Sequence, residues 1–197
     1  ASTNDSGNDT FQVLSPGSLI RVKGFGLGIR AFKQLADRHP DSRLSVIGSG
    51  PEGPKLAALV QKLRLEDKVR LQPEVPRDQL MSEMADCDVV LFPSMRDGGG
   101  TVVIEAMSLG KPVVCLDLAG PGMYITEDCG IKITPGSPEE TVAKLADGLE
   151  RLFLDESLRR RLGEAGRERA EQHYHWDRLG DRLLEIYQHL VDAESAK

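Results

Sequence analysis

The stretch from Asp97 to Met107, DGGGTVVIEAM, constrains the fold more than any other part of this 197-residue chain. The preceding segment, DVVLFPS at 88–94, is a short apolar run interrupted by a proline, and it predicts a buried strand. Three consecutive glycines then lead into Thr-Val-Val-Ile-Glu-Ala-Met, which predicts the start of a helix. In a parallel sheet such a loop lies at the carboxyl edge of the strand, where open α/β sheets bind ligands.

This glycine loop predicts an anion-binding site. Glycine lets the backbone approach a ligand closely and adopt positive φ, and the first turn of a helix offers free N–H groups to an anion. Glu105 lies eight positions after Asp97, so the two acids can bracket one bound molecule. The alternative is a plain helix entry in which both acids only complement the helix dipole. Three glycines in a row are a costly way to make a plain turn, which favours the ligand site.

Strands and helices alternate along the rest of the chain. The sequence predicts strands at 11–15, 43–48, 69–72, 88–92, 112–117 and 130–134. It predicts helices at 25–38, at 53–63, after 75–76, after the glycine loop and from 138 to 190, with breaks near 154–155 and 173–176. This alternation indicates an α/β fold with a doubly wound parallel sheet, Rossmann-like. We expect a disordered linker or cloning remnant at 1–10, the domain at 11–190 and a tail at 191–197.

Composition excludes several classes of partner. A net charge of −6, from 25 bases and 31 acids, gives no basic surface for nucleic acid. No apolar run approaches the length of a transmembrane segment. The three scattered cysteines, at 87, 115 and 129, predict reduced core thiols in a cytoplasmic protein. No tight His/Cys cluster is present in the sequence, so we predict no zinc site.

Two short motifs have the pattern of a ligand site but the wrong context. Gly24, Gly26 and Gly28 lack the spacing of the dinucleotide-binding fingerprint. Asp86 and Asp88 form an Asp-x-Asp pattern, which holds a metal and a diphosphate in some enzymes. Here the pattern lies where a helix ends and a strand begins, at the amino edge of the predicted sheet. We therefore expect a structural role for both aspartates.

The region around the glycine loop resembles the signature of the retaining glycosyltransferases of family 4. It has Pro-Ser, then an acid followed by glycines, then Glu-Ala-Met after seven intervening residues. The resemblance runs from about Phe11 to Leu190 and includes VKGFGLGIRAFKQL, SVIGSGPE, VRLQPEVPRDQL, GKPVVCLDLAG and HYHWDRL. It implies the C-terminal, donor-binding half of a GT-B fold. In that fold the final helix, which Trp176 is expected to anchor, crosses back to the N-terminal domain.

The resemblance assigns the donor phosphates to the loop after the first strand. Lys23 matches the family's phosphate-binding lysine, whereas Ser18, which follows Gly17, stands where the family has an arginine. A hydroxyl is a poor substitute for a forked guanidinium. Either Arg21 takes over that role or the phosphates are held less well. Lys23, Arg21 and Asp97 are the candidate catalytic residues.

The two acids are implied to hold the sugars of the donor. Glu105 matches the residue that accepts hydrogen bonds from the ribose 2′ and 3′ hydroxyls, which is a charge-assisted interaction. Asp97 replaces the usual first glutamate, which contacts the donor sugar, and is shorter by about 1.5 Å. The backbone N–H groups between the acids are implied to cradle the phosphates and part of the sugar, and they belong to Gly98, Gly99, Gly100, Thr101 and Val102.

Other candidate contacts surround the nucleotide base. Val75 and Arg77 are implied to flank the base through main-chain contacts, and Gly48 is given a minor backbone role. Pro73 stands where a glycine is usual, which alters the local loop. The segment AGPGMY, residues 119–124, is either a wall near the base or sugar or a plain connecting loop.

The implied enzyme transfers a hexose from a UDP-, GDP- or ADP-sugar to an acceptor hydroxyl with retained configuration, and uses no metal or other cofactor. The acceptor would bind to an N-terminal domain of the same enzyme, and peripheral membrane association through that domain is left open. Alone, the chain is expected to bind nucleotide weakly and transfer little. Two alternatives remain: a degenerate, non-catalytic nucleotide-binding module, which Ser18, Pro73 and Asp97 favour, and a nucleotide-sugar epimerase of the same architecture, which the acid pair disfavours.

Overall fold

Six apolar segments form one parallel sheet in the computed structural model, which describes residues 10–195. The strands are β1 Phe11–Pro16, β2 Ser42–Ile47, β3 Val69–Gln72, β4 Val89–Phe92, β5 Val113–Leu116 and β6 Gly130–Ile133. Each lies where the sequence predicts a strand, with ends that differ by at most one residue. Residues 1–9 of the predicted linker and residues 196–197 of the predicted tail lie outside the described residues.

Helices connect and cover the strands. They are α1 Phe25–Arg38, α2 Gly53–Lys62, α3 Arg77–Asp86, α4 Thr101–Ser108, α5 Ala119–Tyr124, α6 Pro138–Leu154, α7 Glu156–His173 and α8 Trp176–Ser195, and a short 3-10 helix, Arg21–Lys23, precedes α1. Both predicted breaks in the helical region are present. At the first, the Asp155 side chain accepts a hydrogen bond of 2.8 Å from the N–H of Leu158 and caps α7. The last helix continues to Ser195 and so includes residues 191–195 of the predicted tail.

The strand order is β3-β2-β1-β4-β5-β6, which confirms the doubly wound sheet. The chain moves outward from β1 to β3, then returns to the other side of β1 and moves outward again from β4 to β6. β1 and β4 are therefore neighbours, with Val13 opposite Val89 and Leu14 opposite Val90. The loops that follow these two strands start side by side at the carboxyl edge, at the point where the winding reverses.

Each face of the sheet carries its own hydrophobic core. On one face, Phe32 of α1 and Leu149 of α6 pack over Val13. On the other, Met107 of α4 packs over Leu14, the next residue of β1, because successive side chains of a strand point to opposite faces. The predicted core thiols are confirmed as buried and unpaired: Cys87, Cys115 and Cys129. The core thus holds β1 and β4 rigidly beneath the loops at their carboxyl ends.

Helix α8 differs from the other helices because it exposes its apolar residues. Trp176, which the sequence analysis expects to anchor this helix, is 85% exposed, and no described element covers it. Leu183 and Tyr187, about two and three turns further along, are exposed as well. Within residues 10–195, none of the helices is both long enough and apolar enough to cross a bilayer.

Candidate functional site

The loops that follow β1 and β4 meet at the carboxyl edge of the sheet. The N–H of Met95 donates a hydrogen bond of 2.8 Å to the carbonyl of Val22. Gly24 adopts a φ of +67°, and a Cβ at this position would lie 2.1 Å from the carbonyl oxygen of Pro93. Only glycine fits such a close approach. The structure therefore places the two loops face to face at the carboxyl edge of the sheet.

Lys23 and Asp97 form an ion pair across this junction. Lys23 Nζ donates to Asp97 Oδ2, and the side chains are only 19% and 13% exposed. The Lys23 ammonium also lies 5.5 Å from the centre of the Phe92 ring, on the last residue of β4. Two candidate catalytic residues that are 74 positions apart in the sequence are thus in direct contact.

Asp97 also occupies part of the predicted phosphate cradle. Its Oδ1 accepts hydrogen bonds from the N–H groups of Gly99, at 3.1 Å, and Gly100, at 2.8 Å. Burial opposes ionisation of Asp97, but the hydrogen bonds from Lys23 and from these two N–H groups outweigh burial and lower the pKa of the carboxyl group. An anionic ligand must therefore compete with Asp97 for Lys23 and for the loop.

A tyrosine and an arginine that are not among the predicted site residues support the glycine loop. Tyr124, the last residue of α5, donates a hydrogen bond of 2.9 Å from its hydroxyl to the carbonyl of Gly99. Its ring lies so close to Gly100 that a Cβ there would be 3.1 Å from Cε2. Arg169 of α7 donates a hydrogen bond of 2.8 Å from Nε to the carbonyl of Tyr124. Tyr124 lies within the 119–124 segment that the sequence singled out, whereas nothing local in the sequence marks Arg169.

Glu105, on the second turn of α4, forms an ion pair with Arg77 at the start of α3. Arg77 Nη1 donates to Glu105 Oε1. The Glu105 side chain is 17% exposed, whereas that of Arg77 is 70% exposed. The family resemblance implies only main-chain contacts from Arg77, whereas in the structure its guanidinium contacts Glu105, the carboxylate that is predicted to bind the ribose.

Two clefts adjoin this ion pair, and most of the predicted substrate-binding residues line one or the other. The predicted residues that line neither are Lys23, Arg21, Asp97, Gly98 and Gly100. A cleft of about 310 Å³ is lined by Gly17, Ser18, Gly48, Val75, Arg77 and Val102, together with apolar side chains such as Ile47. A cleft of about 1040 Å³ is lined by Arg77, Gly99, Thr101 and Glu105, together with Tyr124, Tyr174 and Trp176. Arg77 lines both. Another cavity, of about 270 Å³, lies at the amino edge beside Gln12 and Glu83, away from the glycine loop.

The loops after β1 and β2 enclose the smaller cleft. Gly17 donates a hydrogen bond of 2.9 Å to the carbonyl of Ile47, and a Cβ on Gly48 would lie 1.9 Å from the carbonyl oxygen of Gly17. Ser18 is exposed beside them. Arg21 is exposed too, lines neither cleft, and makes no side-chain hydrogen bond or ion pair within residues 10–195.

The Asp-x-Asp motif lies at the opposite edge of the sheet. Asp88 Oδ2 accepts a hydrogen bond of 2.8 Å from the N–H of Gln12, near the start of β1, and Oδ1 lies 3.9 Å from Arg159. Asp86 ends α3. Among the described residues there is no group of three or more His, Cys, Asp or Glu side chains that could hold a metal ion.

Comparison with known proteins relates this chain to one enzyme family. The family model for glycosyl transferases group 1 matches residues 3–169. The D-inositol 3-phosphate glycosyltransferase of Paenarthrobacter aurescens strain TC1 is 31% identical over 190 residues, which are 94% of this chain and 45% of that protein. The chain therefore spans a little under half the length of this curated relative.

Solved structures show the same architecture. Sucrose-phosphate synthase from Thermosynechococcus elongatus superimposes with a TM-score of 0.81 and 28% identity, over 94% of this chain and 47% of that one. Anabaena Alr3699/HepE, solved in complex with UDP-glucose, superimposes with a TM-score of 0.75 and 23% identity, over 95% of this chain and 49% of that one. The latter similarity concerns the fold alone.

Proposed function

The chain belongs to the group 1 glycosyl transferases, and we propose that it is the donor-binding half of an enzyme that transfers a hexose from a nucleotide-diphosphate sugar to an acceptor hydroxyl. The observation that carries this proposal is the junction of Lys23 and Asp97 beside the N-terminus of α4. This junction brings together a cation, a helix end and the carboxylate that we assign to the donor sugar. The ion pair between Glu105 and Arg77 borders the same helix.

The leaving group of such a transfer is a nucleoside diphosphate, so the site has to stabilise negative charge where the bond breaks. Lys23 and the N-terminus of α4 supply that stabilisation. Glu105 accepts hydrogen bonds from the ribose hydroxyls, and Asp97 accepts them from the donor sugar. The apolar part of the smaller cleft, which includes Ile47 and Val75, holds the base.

We propose that transfer retains the anomeric configuration through attack on the front face of the sugar. The acceptor oxygen bonds to the anomeric carbon on the side from which the phosphate oxygen departs. As the bond from carbon to phosphate oxygen breaks, the acceptor proton passes to that departing oxygen. Lys23 and the helix end act on the phosphate charge, so the proposed reaction needs no metal.

The remaining partners are part of the same proposal. The acceptor binds to an N-terminal domain of the same cytoplasmic enzyme, and this half alone binds nucleotide weakly and transfers little. The span of under half of a curated relative supports a second domain, as does the exposed apolar face of α8.

Donor turnover by the full-length protein tests the proposal. We expect release of nucleoside diphosphate from one of UDP-, GDP- or ADP-glucose, and UDP-glucose is tried first because the HepE structure contains it. Activity in excess EDTA should equal that in magnesium, and NMR of the product should show retention. Glu105→Ala should bind both nucleoside and nucleoside diphosphate about ten- to a hundredfold more weakly. A protein that binds none of the three nucleoside diphosphates would contradict the proposal, and binding without turnover would favour the non-catalytic module.

A further inference from the structure

Arg77 holds a position that no other described cation shares. Its guanidinium rests on Glu105, and it is the only arginine or lysine within residues 10–195 that lines both the smaller and the larger cleft. A ligand whose base occupies the smaller cleft and whose sugar approaches the glycine loop has to pass this side chain. Because Arg77 is 70% exposed, its side chain is free to change partner without disturbing the core.

None of the other described positive groups near the crevice lines both clefts. Lys23 is neutralised by Asp97, which also accepts hydrogen bonds from the N–H groups of Gly99 and Gly100. Arg21 lines neither cleft. The N-terminus of a helix contributes only about half a positive charge, which is too little for a diphosphate. Arg167 of α7 lines only the larger cleft. Arg77 is therefore the described cation that borders both clefts, between which we place the diphosphate.

We propose that Arg77 is a phosphate-binding residue that exchanges partners when the donor binds. In the free protein the guanidinium neutralises Glu105. When a nucleoside diphosphate enters, the guanidinium transfers to phosphate oxygens, and the released Glu105 carboxylate accepts the ribose hydroxyls. The exchange is favoured because an exposed ion pair with a carboxylate is weak, whereas the planar guanidinium matches phosphate and forms paired hydrogen bonds with it. This inference rests on the proposed function.

Calorimetric titration with UDP, GDP and ADP, and with uridine, guanosine and adenosine, tests the exchange. Arg77→Ala should weaken binding of the nucleoside diphosphate about ten- to a hundredfold. Binding of the matching nucleoside should not weaken, because Glu105 no longer has to leave an ion pair. Arg77→Gln should behave like Arg77→Ala, and Arg77→Lys should recover part of the lost affinity.

Arg70→Ala is the matched control. Arg70 is also an exposed arginine near a glutamate, 3.9 Å from Glu83, but it lines neither cleft of the site. The Arg70→Ala variant should change neither the affinity for the nucleoside nor the affinity for the nucleoside diphosphate. Equal weakening of nucleoside and nucleoside diphosphate by Arg77→Ala would overturn the exchange, as would unchanged binding of both. If the unaltered protein binds no nucleoside diphosphate, the proposed function fails; if it binds and Arg77→Ala binds equally well, only the role of Arg77 fails.

Discussion

Asp97 has two roles at the residue scale, and they compete. Its carboxylate closes the glycine loop through Gly99 and Gly100, and it holds Lys23 in the crevice. A donor phosphate needs the same lysine and the same N–H groups. In the free site the Asp97 carboxylate acts as an internal anion, and it keeps Lys23 and the N–H groups of the loop oriented before a ligand binds.

Mutation can distinguish the contributions of Lys23 and Arg21 to phosphate binding. Lys23→Ala should weaken nucleoside diphosphate binding by about 1.5–3 kcal/mol, because a charge-assisted hydrogen bond to phosphate is lost, and should leave nucleoside binding unchanged. Arg21→Ala should have almost no effect, since Arg21 is exposed and pairs with no described group. Calorimetry measures both. Lys33→Ala, which removes another lysine–aspartate pair, on α1, is the control. If Lys23→Ala reduced nucleoside and nucleoside diphosphate binding equally, this loop would not contact the phosphates.

The ionisation of Asp97 predicts a pH dependence of stability. The folded state lowers the pKa of Asp97, so its contribution is fully present above the unfolded pKa of about 3.9 and is lost as pH falls through the lower folded pKa. Denaturant unfolding should therefore show Asp97→Asn to be less stable than the parent at pH 7, with the difference shrinking below about pH 4. The comparison with Asp97→Asn removes the effect of Asp155, whose pKa is also lowered. A difference that stayed constant down to pH 2 would contradict this assignment.

At the element scale, α5 shows how packing outside the site shapes the glycine loop. Gly120, in the first turn of α5, donates a hydrogen bond of 3.1 Å to the carbonyl of Asp97. Tyr124, the last residue of α5, donates a hydrogen bond from its hydroxyl to the carbonyl of Gly99. The loop is thus held on one side by Lys23 and on the other by α5. Arg169 extends this support to α7.

Tyr124→Phe should test this support. Loss of the hydroxyl removes one hydrogen bond, worth about 0.5–1.5 kcal/mol, but retains the ring against Gly100. We expect donor turnover by the full-length enzyme to fall several-fold while the melting temperature changes little. Tyr187→Phe, on the exposed face of α8, serves as control and should change neither. A fall in melting temperature without a change in turnover would show that the hydroxyl stabilises the fold and not the loop.

The regular elements could be predicted from the sequence, whereas the contacts of their ends could not. The strands follow from apolar runs, and the doubly wound parallel sheet follows from their alternation with helices. The segment 119–124 has the composition of a loop, and it forms a helix where its backbone meets Asp97, a tertiary contact with no local signal. The pairing of Arg77 with Glu105 is hidden in the same way, because the two residues are 28 positions apart and strand β4 lies between their helices.

At the scale of the whole molecule, the site lies on the seam between the two halves of the sheet. The cores on both faces meet at β1 and β4, and the site loops leave from these strands. Any opening that separates β1 from β4 would therefore open the site as well. The three cysteines, which belong to one of these cores, report on such openings.

Thiol labelling should follow global unfolding of this domain. Burial raises the pKa of both Cys87 and Cys115 to about 12, so almost no thiolate exists at pH 8, and Cys129 is buried beside them. Because the thiolate is the reactive form, a thiol reagent should label the native protein slowly and the protein in concentrated guanidinium at once.

A nucleoside diphosphate at a hundred times its Kd stabilises the native state by about 2.7 kcal/mol, so it should slow labelling about a hundredfold when unfolding is global. The rate is followed at each cysteine by mass spectrometry. If one thiol reacted at a rate that the ligand did not change, that part of the core would open locally, without separating the strands that carry the site.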